Sequence, residues 1–247
     1  MSDTMLGRAR GAAYTPPAAA AAPSPARPDW FLLVAALAVA AALVRAVWFT
    51  PLDRLQGPAQ KIFYLHVPIA FIGLYVACAL VAIGSVLFLW LRDERLDAIA
   101  ESAGEIAFLF LSIVLVTGPI WGRPVWGTWW EWEARLTLSL MLWFVLLGYM
   151  LLRNAVEDRA MRARFSAVMG VLAALLVPFI HLSVYLFRTL HPMPVVLKPE
   201  RPSMPGDMLL TFLLAQGAFL LLFFALLRMR YRYALRRDAI AAIEEES

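Results

Sequence analysis

Cysteine is nearly absent from this 247-residue chain, which has Cys78 alone and therefore no intrachain disulfide and no CxxC or CxxCH motif. That excludes a thiol oxidoreductase of the CxxC type and a c-type cytochrome. Lysine is almost as rare, and neither Lys61 nor Lys198 follows a glycine, so the chain has no P-loop ATPase site. HExxH and GxSxG motifs are missing too, which excludes the usual hydrolytic chemistries.

Charge is also scarce, because only 16% of the residues are charged whereas 62% are hydrophobic, and the mean hydropathy is +0.71. A soluble domain has about 25% charged residues. The apolar residues fall into six runs close to the ~20 residues that cross a bilayer, at 30–49, 66–91, 104–121, 136–152, 166–187 and 208–228. We therefore predict an all-α integral membrane protein with six transmembrane helices, and not a soluble enzyme or a nucleic-acid-binding protein.

The runs divide the chain into three parts. Residues 1–29 are rich in alanine and proline and are predicted to form a disordered tail. Residues 30–228 form the six-helix domain, and residues 229–247 form a charged C-terminal tail. Of the arginines and lysines outside the spans, 14 lie on the side of the two termini and 6 on the other, so both termini are predicted to be cytoplasmic. The short inner loops, 92–103 and 153–164, mix both charges and are predicted to be solvated helix ends.

Tryptophan is concentrated in the predicted outer segment 122–135 and at its border. Five of the nine tryptophans occur within twelve residues: Trp121, Trp126, Trp129, Trp130 and Trp132. An aromatic belt at the bilayer surface is one interpretation, but a belt distributes tryptophan over many helix ends. A cluster interrupted by Gly122, Pro124 and Gly127 favours a shaped surface that binds a large, flat, apolar ligand.

Two of the three histidines are predicted to share the side of this tryptophan-rich loop. His66 lies at the outer end of the second span, with Pro68 in the first helical turn, and His191 lies just beyond the fifth. Two imidazoles beside an aromatic surface can supply both axial ligands of a haem iron. His181 lies inside the fifth span and is predicted to hydrogen-bond within the bundle, not to act as a ligand.

Charged residues accompany this outer face. Glu131 and Glu133 precede the fourth span, where the helix dipole favours carboxylates, and Glu131 is spaced to pair with Arg135. Outer-face cations are candidates to meet the propionates of a porphyrin: Lys61, Arg123, Arg188 and Lys198.

The segment WGTWWEWEARLT closely resembles the tryptophan-rich "WWD" segment, WGxxWxWDxRLT, of haem-handling proteins in cytochrome c biogenesis. Together with KIFYLHVP, RTLHP and the six spans, it makes the chain from about Trp30 onward similar to the cytochrome c maturation protein C (CcmC) family. One position departs from the family pattern, because Glu133 occupies the place of an aspartate and shifts the carboxylate by a methylene.

The resemblance implies an inner-membrane protein that binds haem b as transient cargo on the periplasmic face and passes it to the haem chaperone CcmE. The implied partners are the CcmA/CcmB ATP-binding-cassette exporter and the small membrane protein CcmD. The family's iron ligands match His66 and His191. Its aromatic platform and acidic residue match Trp121, Trp126, Trp130, Trp132 and Glu133.

From these observations we expect a binding and transfer factor, not an enzyme, since no nucleophile or acid–base pair is evident. Two alternatives stay open. One is a permease subunit of a haem exporter, and the other is a redox protein that holds a b-type haem permanently inside the bundle. Two bis-histidine haems would need four histidines, and the chain has three.

Overall fold

The computed structural model of the chain describes residues 28–193, 196 and 201–246. Within these ranges the protein is helical apart from its connections and an isolated bridge between Asp53 and Gly57. The six predicted spans are confirmed as helices long and apolar enough to cross a membrane: Trp30–Phe49, Pro58–Leu91, Glu94–Trp126, Ala134–Ala155, Arg159–Leu186 and Gly206–Ile243. Most of the predicted tail 1–29, and Lys198, lie outside the described residues.

Seven α-helices make up these spans. They are α1 (Trp30–Val44), α2 (Phe63–Phe71), α3 (Cys78–Leu91), α4 (Glu94–Trp126), α5 (Ala134–Ala155), α6 (Arg159–Leu186) and α7 (Gly206–Glu246). A π-helical turn, Arg45–Phe49, extends α1, and α7 continues through most of the segment predicted to be a C-terminal tail. The Asp29 carboxylate caps α1 by accepting from the amides of Phe31 and Leu32.

The second span is built from several kinds of helix. It begins with a 3-10 turn, Pro58–Ile62, continues as α2, widens into a π-helical turn, Ile72–Ala77, and resumes as α3. The prediction that Pro68 lies in the first turn is therefore wrong: Pro58 occupies that position, and Pro68 lies inside α2. A proline there removes a backbone donor, and π-helical turns are common at functional sites.

Helix α4 is longer than its apolar run. It continues past Pro119, Gly122 and Pro124 to Trp126 and ends at Gly127, whose φ of +81° suits glycine. The outer segment predicted from residue 122 is consequently only partly a loop. The tryptophan cluster is divided, with its first two members on rigid helix and the last three in the connection to α5.

The helices approach closely where their contacting residues are small. Helix α3 packs against α4 and α6, α5 packs against α6, and α1 packs against α7. At Gly170 an added Cβ would lie 2.7 Å from the Ser85 Oγ and 2.9 Å from the Val81 Cγ1, so only glycine permits this contact of α6 with α3. The apolar centre is formed by residues of α2 to α7, among them Ile69, Phe110, Leu142, Ile180 and Phe223.

At one end of the bundle, which we call the charged end, three carboxylates of α4 pair with arginines of α5 and α7. Asp97 and Glu101 both accept from Arg153, with N···O distances of 2.7–2.8 Å. Glu101 also accepts from Arg237 at 2.6 Å, and Glu105 pairs with Arg230. The prediction that the inner loops 92–103 and 153–164 are solvated helix ends holds for Glu94 and Arg95, which are exposed. It is wrong for Asp97, Glu101 and Arg153, whose side chains are buried within the interhelical network.

Replacing Arg153 with alanine is expected to destabilise the protein by about 3–5 kcal/mol, because it leaves the buried Asp97 carboxylate without a counter-ion and leaves Glu101 with Arg237 alone. The measurement is thermal unfolding of the purified protein in detergent. Arg159→Ala is the matched control, since its pair with Glu94 is largely exposed and contributes less than ~1 kcal/mol, and its more distant partner Asp238, at 3.7 Å, keeps Arg237. Equal effects of the two substitutions would contradict the assignment.

Candidate functional site

The opposite end of the bundle, the site end, contains two adjoining cavities. The larger has a volume of about 430 Å³, within the range of small-molecule and cofactor sites. It is lined by all three histidines, with Trp121 and Arg135 among the other residues. The second cavity is also lined by His66, Trp121, Arg135 and His191, and adds residues of the α4–α5 connection. The sequence predicted only a common side of the membrane for His66 and His191, and the fold brings both into one cavity.

A threonine fixes the orientation of the His66 ring. The Thr117 Oγ1 lies 2.8 Å from His66 Nδ1 and itself donates to the carbonyl of Ile113 at 2.8 Å. The hydroxyl proton is thus directed to the carbonyl, and His66 Nδ1–H donates to the hydroxyl oxygen. This arrangement leaves the lone pair on Nε2, as in histidines whose second nitrogen binds a metal.

His191 is held by a connection between two loops. The Glu133 Oε2 accepts from the Thr189 hydroxyl and from the Leu190 amide, both at 2.6 Å. The His191 amide then donates to the Thr189 Oγ1 at 3.0 Å. Glu133 is therefore a positioning residue for the His191 loop, a role that its place beside the tryptophans did not predict.

The imidazole of His191 is neutral at physiological pH. Burial lowers the pKa of His191 to about 3, and the positive charge of Arg135 and the proximity of His66 contribute to this lowering of the pKa. A neutral imidazole keeps the lone pair that a metal ion requires.

Two tryptophans on α4 contact the histidines. The Trp121 ring lies edge-on to His66 with 5.6 Å between centroids, and its Nε1 donates to Gln56 at 3.0 Å. The Trp126 ring lies 5.9 Å from that of His191. Trp126 packs on the backbone of Gly122, where an added Cβ would lie 3.0 Å from the indole. Helix α4 thereby places an indole beside each imidazole.

The tryptophans of the loop have different surroundings. Trp130 lines the smaller cavity and packs against Trp132, with centroids 5.7 Å apart. Trp132 is 76% exposed, whereas Trp129 is 60% exposed and still lines the same cavity. The aromatic platform that the family resemblance implies includes Trp132 and not Trp129, but the fold places Trp129, and not Trp132, among the lining residues.

Three buried polar atoms of the site have no hydrogen-bond partner among the described residues: Trp130 Nε1, Glu133 Oε1 and His191 Nδ1. Buried polar groups are nearly always paired, so unpaired ones that occur together indicate a missing partner. Other buried atoms elsewhere in the bundle, such as Arg153 Nε, are unpaired as well, but Trp130 and His191 line the smaller cavity, which is consistent with a ligand that carries polar groups as well as apolar surface.

Arg135 is the cation that lines both cavities. Lys61 instead donates to the Thr50 carbonyl, Arg123 donates to the Gly127 carbonyl, and Arg188 is exposed outside the lining residues. The sequence pattern predicted Arg135 only as a helix-end partner of Glu131. The sequence did contain a signal for a role of Arg135 at the site. A charged arginine just inside a membrane span costs free energy and is usually functional.

His181 makes the intrabundle hydrogen bond that the sequence predicts, with its Nδ1 2.9 Å from the Tyr75 Oη. Its ring also lines the larger cavity, which the sequence pattern did not predict. Tyr75 belongs to the π-helical turn of the second span, so this irregular turn carries the partner of a cavity histidine.

Six membrane-length helices with an imidazole- and indole-lined cavity at one end define a polytopic membrane protein with a candidate ligand site. The family model described as "CcmC: Heme exporter protein C" matches residues 12–245, and the chain belongs to this family.

The chain is similar to three relatives in particular. Heme exporter protein C of Haemophilus influenzae is 38% identical over 79% of this chain and 80% of its own length. The protein of that name from Bradyrhizobium diazoefficiens is 34% identical over 87% and 81%. A "Putative cytochrome c biosynthesis ccmC-like mitochondrial protein" of Marchantia polymorpha is 36% identical over 66% and 65%.

Glu133→Ala is expected to release the His191 loop, because hydrogen bonds to a charged acceptor contribute about 1.5–3 kcal/mol each. Amide hydrogen exchange at Leu190 should accelerate by about tenfold or more, measured by mass spectrometry on the detergent-purified protein. Glu131→Ala is the control, since this neighbouring carboxylate is exposed. Unchanged exchange in Glu133→Ala would disprove the positioning role.

Proposed function

We propose that this protein binds haem b as transient cargo at the periplasmic face of the bacterial inner membrane and delivers it to a CcmE-like haem chaperone. Membership of the Heme exporter protein C family, and the cytochrome c biosynthesis named in a relative, support a role in haem handling for cytochrome c maturation. The same names support association with other Ccm components, for which we propose CcmA/CcmB and CcmD.

One observation carries this proposal: His66 and His191 line the same cavity, beside two indoles and an arginine. Haem supplies an iron that accepts two axial nitrogen lone pairs and a flat apolar ring with two carboxylates. His66 and His191 are the proposed iron ligands. The aromatic faces of Trp121, Trp126 and Trp130 are proposed to contact the ring, and Arg135 is proposed to pair with a propionate.

The two histidines have unequal supports, and this difference suits a delivery protein. His66 lies on a helix and its ring is fixed by Thr117, whereas His191 lies on a loop that depends on Glu133. A cargo site must release its ligand, so the loop histidine is the axial ligand that we expect to dissociate first.

The site end also has surface for an acceptor protein. Trp129 and Trp132 are exposed beside the cavities, and exposed aromatics are typical of protein contact sites. We place this end in the periplasm and the charged end, where most arginines lie, in the cytoplasm together with both termini. In this proposal the chain is a binding and transfer factor without catalytic activity.

His66→Ala is expected to lower the haem-to-protein ratio of the detergent-purified full-length protein by about tenfold or more, since a metal ligand is lost. His191→Ala is expected to lower it less, and Trp126→Leu should weaken binding by removing ring contacts. The measurement is the absorption spectrum after saturation with hemin and removal of the excess.

Trp90→Leu is the matched control for Trp126, because Trp90 is an exposed tryptophan on α3 outside both cavities. It should bind as much haem as the unsubstituted protein. Haem that survives His66→Ala unchanged, or unsubstituted protein that binds no haem, would refute the proposed site. Transfer to purified CcmE from haem-loaded protein, followed by the spectrum of the chaperone fraction, tests delivery separately.

A further inference from the structure

We propose that His181 is a third iron ligand of this protein, an imidazole within the bundle that takes the axial position when His191 leaves the iron. This inference rests on the proposed haem site and deepens it. The step is a ligand exchange in which the Fe–N bond to His191 breaks and one to His181 Nε2 forms, with no change of oxidation state.

The first argument is that the three histidines line one continuous cavity. His66, His181 and His191 line one cavity of about 430 Å³, so a ligand bound by His66 has two further imidazoles on the walls that surround it. His181 lies on α6 about 7.5 Å below the helix end by helical rise, whereas His191 lies in the loop beyond that end. The two side chains therefore approach the cavity from different depths of the same segment of chain.

The second argument is the state of the imidazole rings. At His66 the Nδ1 atom is held by a hydroxyl at 2.8 Å, and at His181 the Nδ1 atom is held by the Tyr75 hydroxyl at 2.9 Å. Bonding of the second ring nitrogen to a protein group is the usual preparation of a metal-binding histidine, because it fixes the ring and directs Nε2 to the metal. The contact with Tyr75 holds the ring of His181 in place, whereas His191 Nδ1 has no partner among the described residues.

The third argument is the cost of a histidine at this depth. An ionisable side chain inside a membrane span is unfavourable unless it has a partner. Such residues are usually functional. The Tyr75 hydroxyl satisfies one ring nitrogen, and the ring itself contacts the aromatic rings of Tyr75 and Tyr185. The remaining nitrogen belongs to a ring that lines the cavity together with His66 and His191.

A third ligand solves a problem of delivery. When the loop histidine dissociates, iron bound by His66 alone is five-coordinate and weakly held. Rebinding by His181 keeps haem in the cavity, while the loop carrying His191 is free to move aside. The outer edge of the cavity then becomes available to an acceptor without loss of the cargo to the membrane.

The test compares His191→Ala with the double variant His191→Ala/His181→Ala, each purified at full length in detergent and saturated with hemin. In His191→Ala we expect a six-coordinate, low-spin absorption and electron paramagnetic resonance spectrum from the His66–His181 pair. In the double variant we expect a high-spin spectrum and a haem-to-protein ratio at least about tenfold lower, as for loss of a metal ligand.

Three further variants in the His191→Ala background guard against misfolding and test the orientation of the ring. His181→Gln keeps a polar side chain near Tyr75 but has no imidazole, and it should behave as the double alanine variant does. Tyr75→Phe should lower the low-spin fraction by releasing the ring. Tyr64→Phe, which removes a hydroxyl from the same span outside both cavities, should not.

The outcomes separate this inference from the proposed function. If haem binds and depends on His66, but His191→Ala and the double variant have the same spectrum and ratio, the proposed site stands and the role of His181 is refuted. A high-spin spectrum in His191→Ala itself also refutes it. If haem binding is insensitive to His66→Ala, the proposed function fails first.

Discussion

Two hydrogen bonds to a single carboxylate oxygen join parts of the chain that lie more than fifty residues apart. Glu133, at the start of α5, accepts from Thr189 and Leu190, and that contact holds the loop of His191, which lines the same two cavities as His66. The α4–α5 connection and the loop after α6 are thereby joined by a polar contact. The geometry of the site consequently depends on the carboxylate of the tryptophan segment at least as much as on the tryptophans.

The two ends of the bundle differ in how their polar groups are paired. At the charged end Asp97, Glu101 and Glu105 of α4 each have an arginine, and Arg153 satisfies both Asp97 and Glu101. Such a network is costly to disturb, because removing one ion leaves another buried alone. Unpaired buried polar atoms among the described residues occur at both ends, at Arg153 Nε and Tyr149 Oη as well as at Trp130, Glu133 and His191. The ends therefore differ in their ion pairs, because the charged end matches each of these carboxylates with an arginine, whereas Glu133 at the site end accepts from uncharged groups.

Much of the fold could be predicted from the sequence, because bilayer thickness leaves few ways to arrange long apolar runs. The six spans were predicted correctly, but α4 ends at Trp126 because prolines near a helix end do not always stop it. The burial of Asp97 and Glu101 was missed, since mixed charge looks alike whether it is solvated or paired across helices. The positions of Arg135 and His181 on the cavity walls were not predicted, for a related reason. Their importance depends on which helices face one cavity, and span order alone does not determine that.

The π-helical turn Ile72–Ala77 makes the length of the second span as important as its composition. A regular α-helix turns about 100° per residue, and a wider turn absorbs an extra residue without rotating the helix beyond it. Removing that residue would restore a regular α-helix and leave α2 and α3 in register with each other. Tyr75 lies within the turn itself, so its place beside His181 depends on the extra residue, whereas the close contact of Gly84 with α4 near Ala100 does not. A second span shortened at this turn would therefore keep its packing against α4 and lose the tyrosine that holds His181.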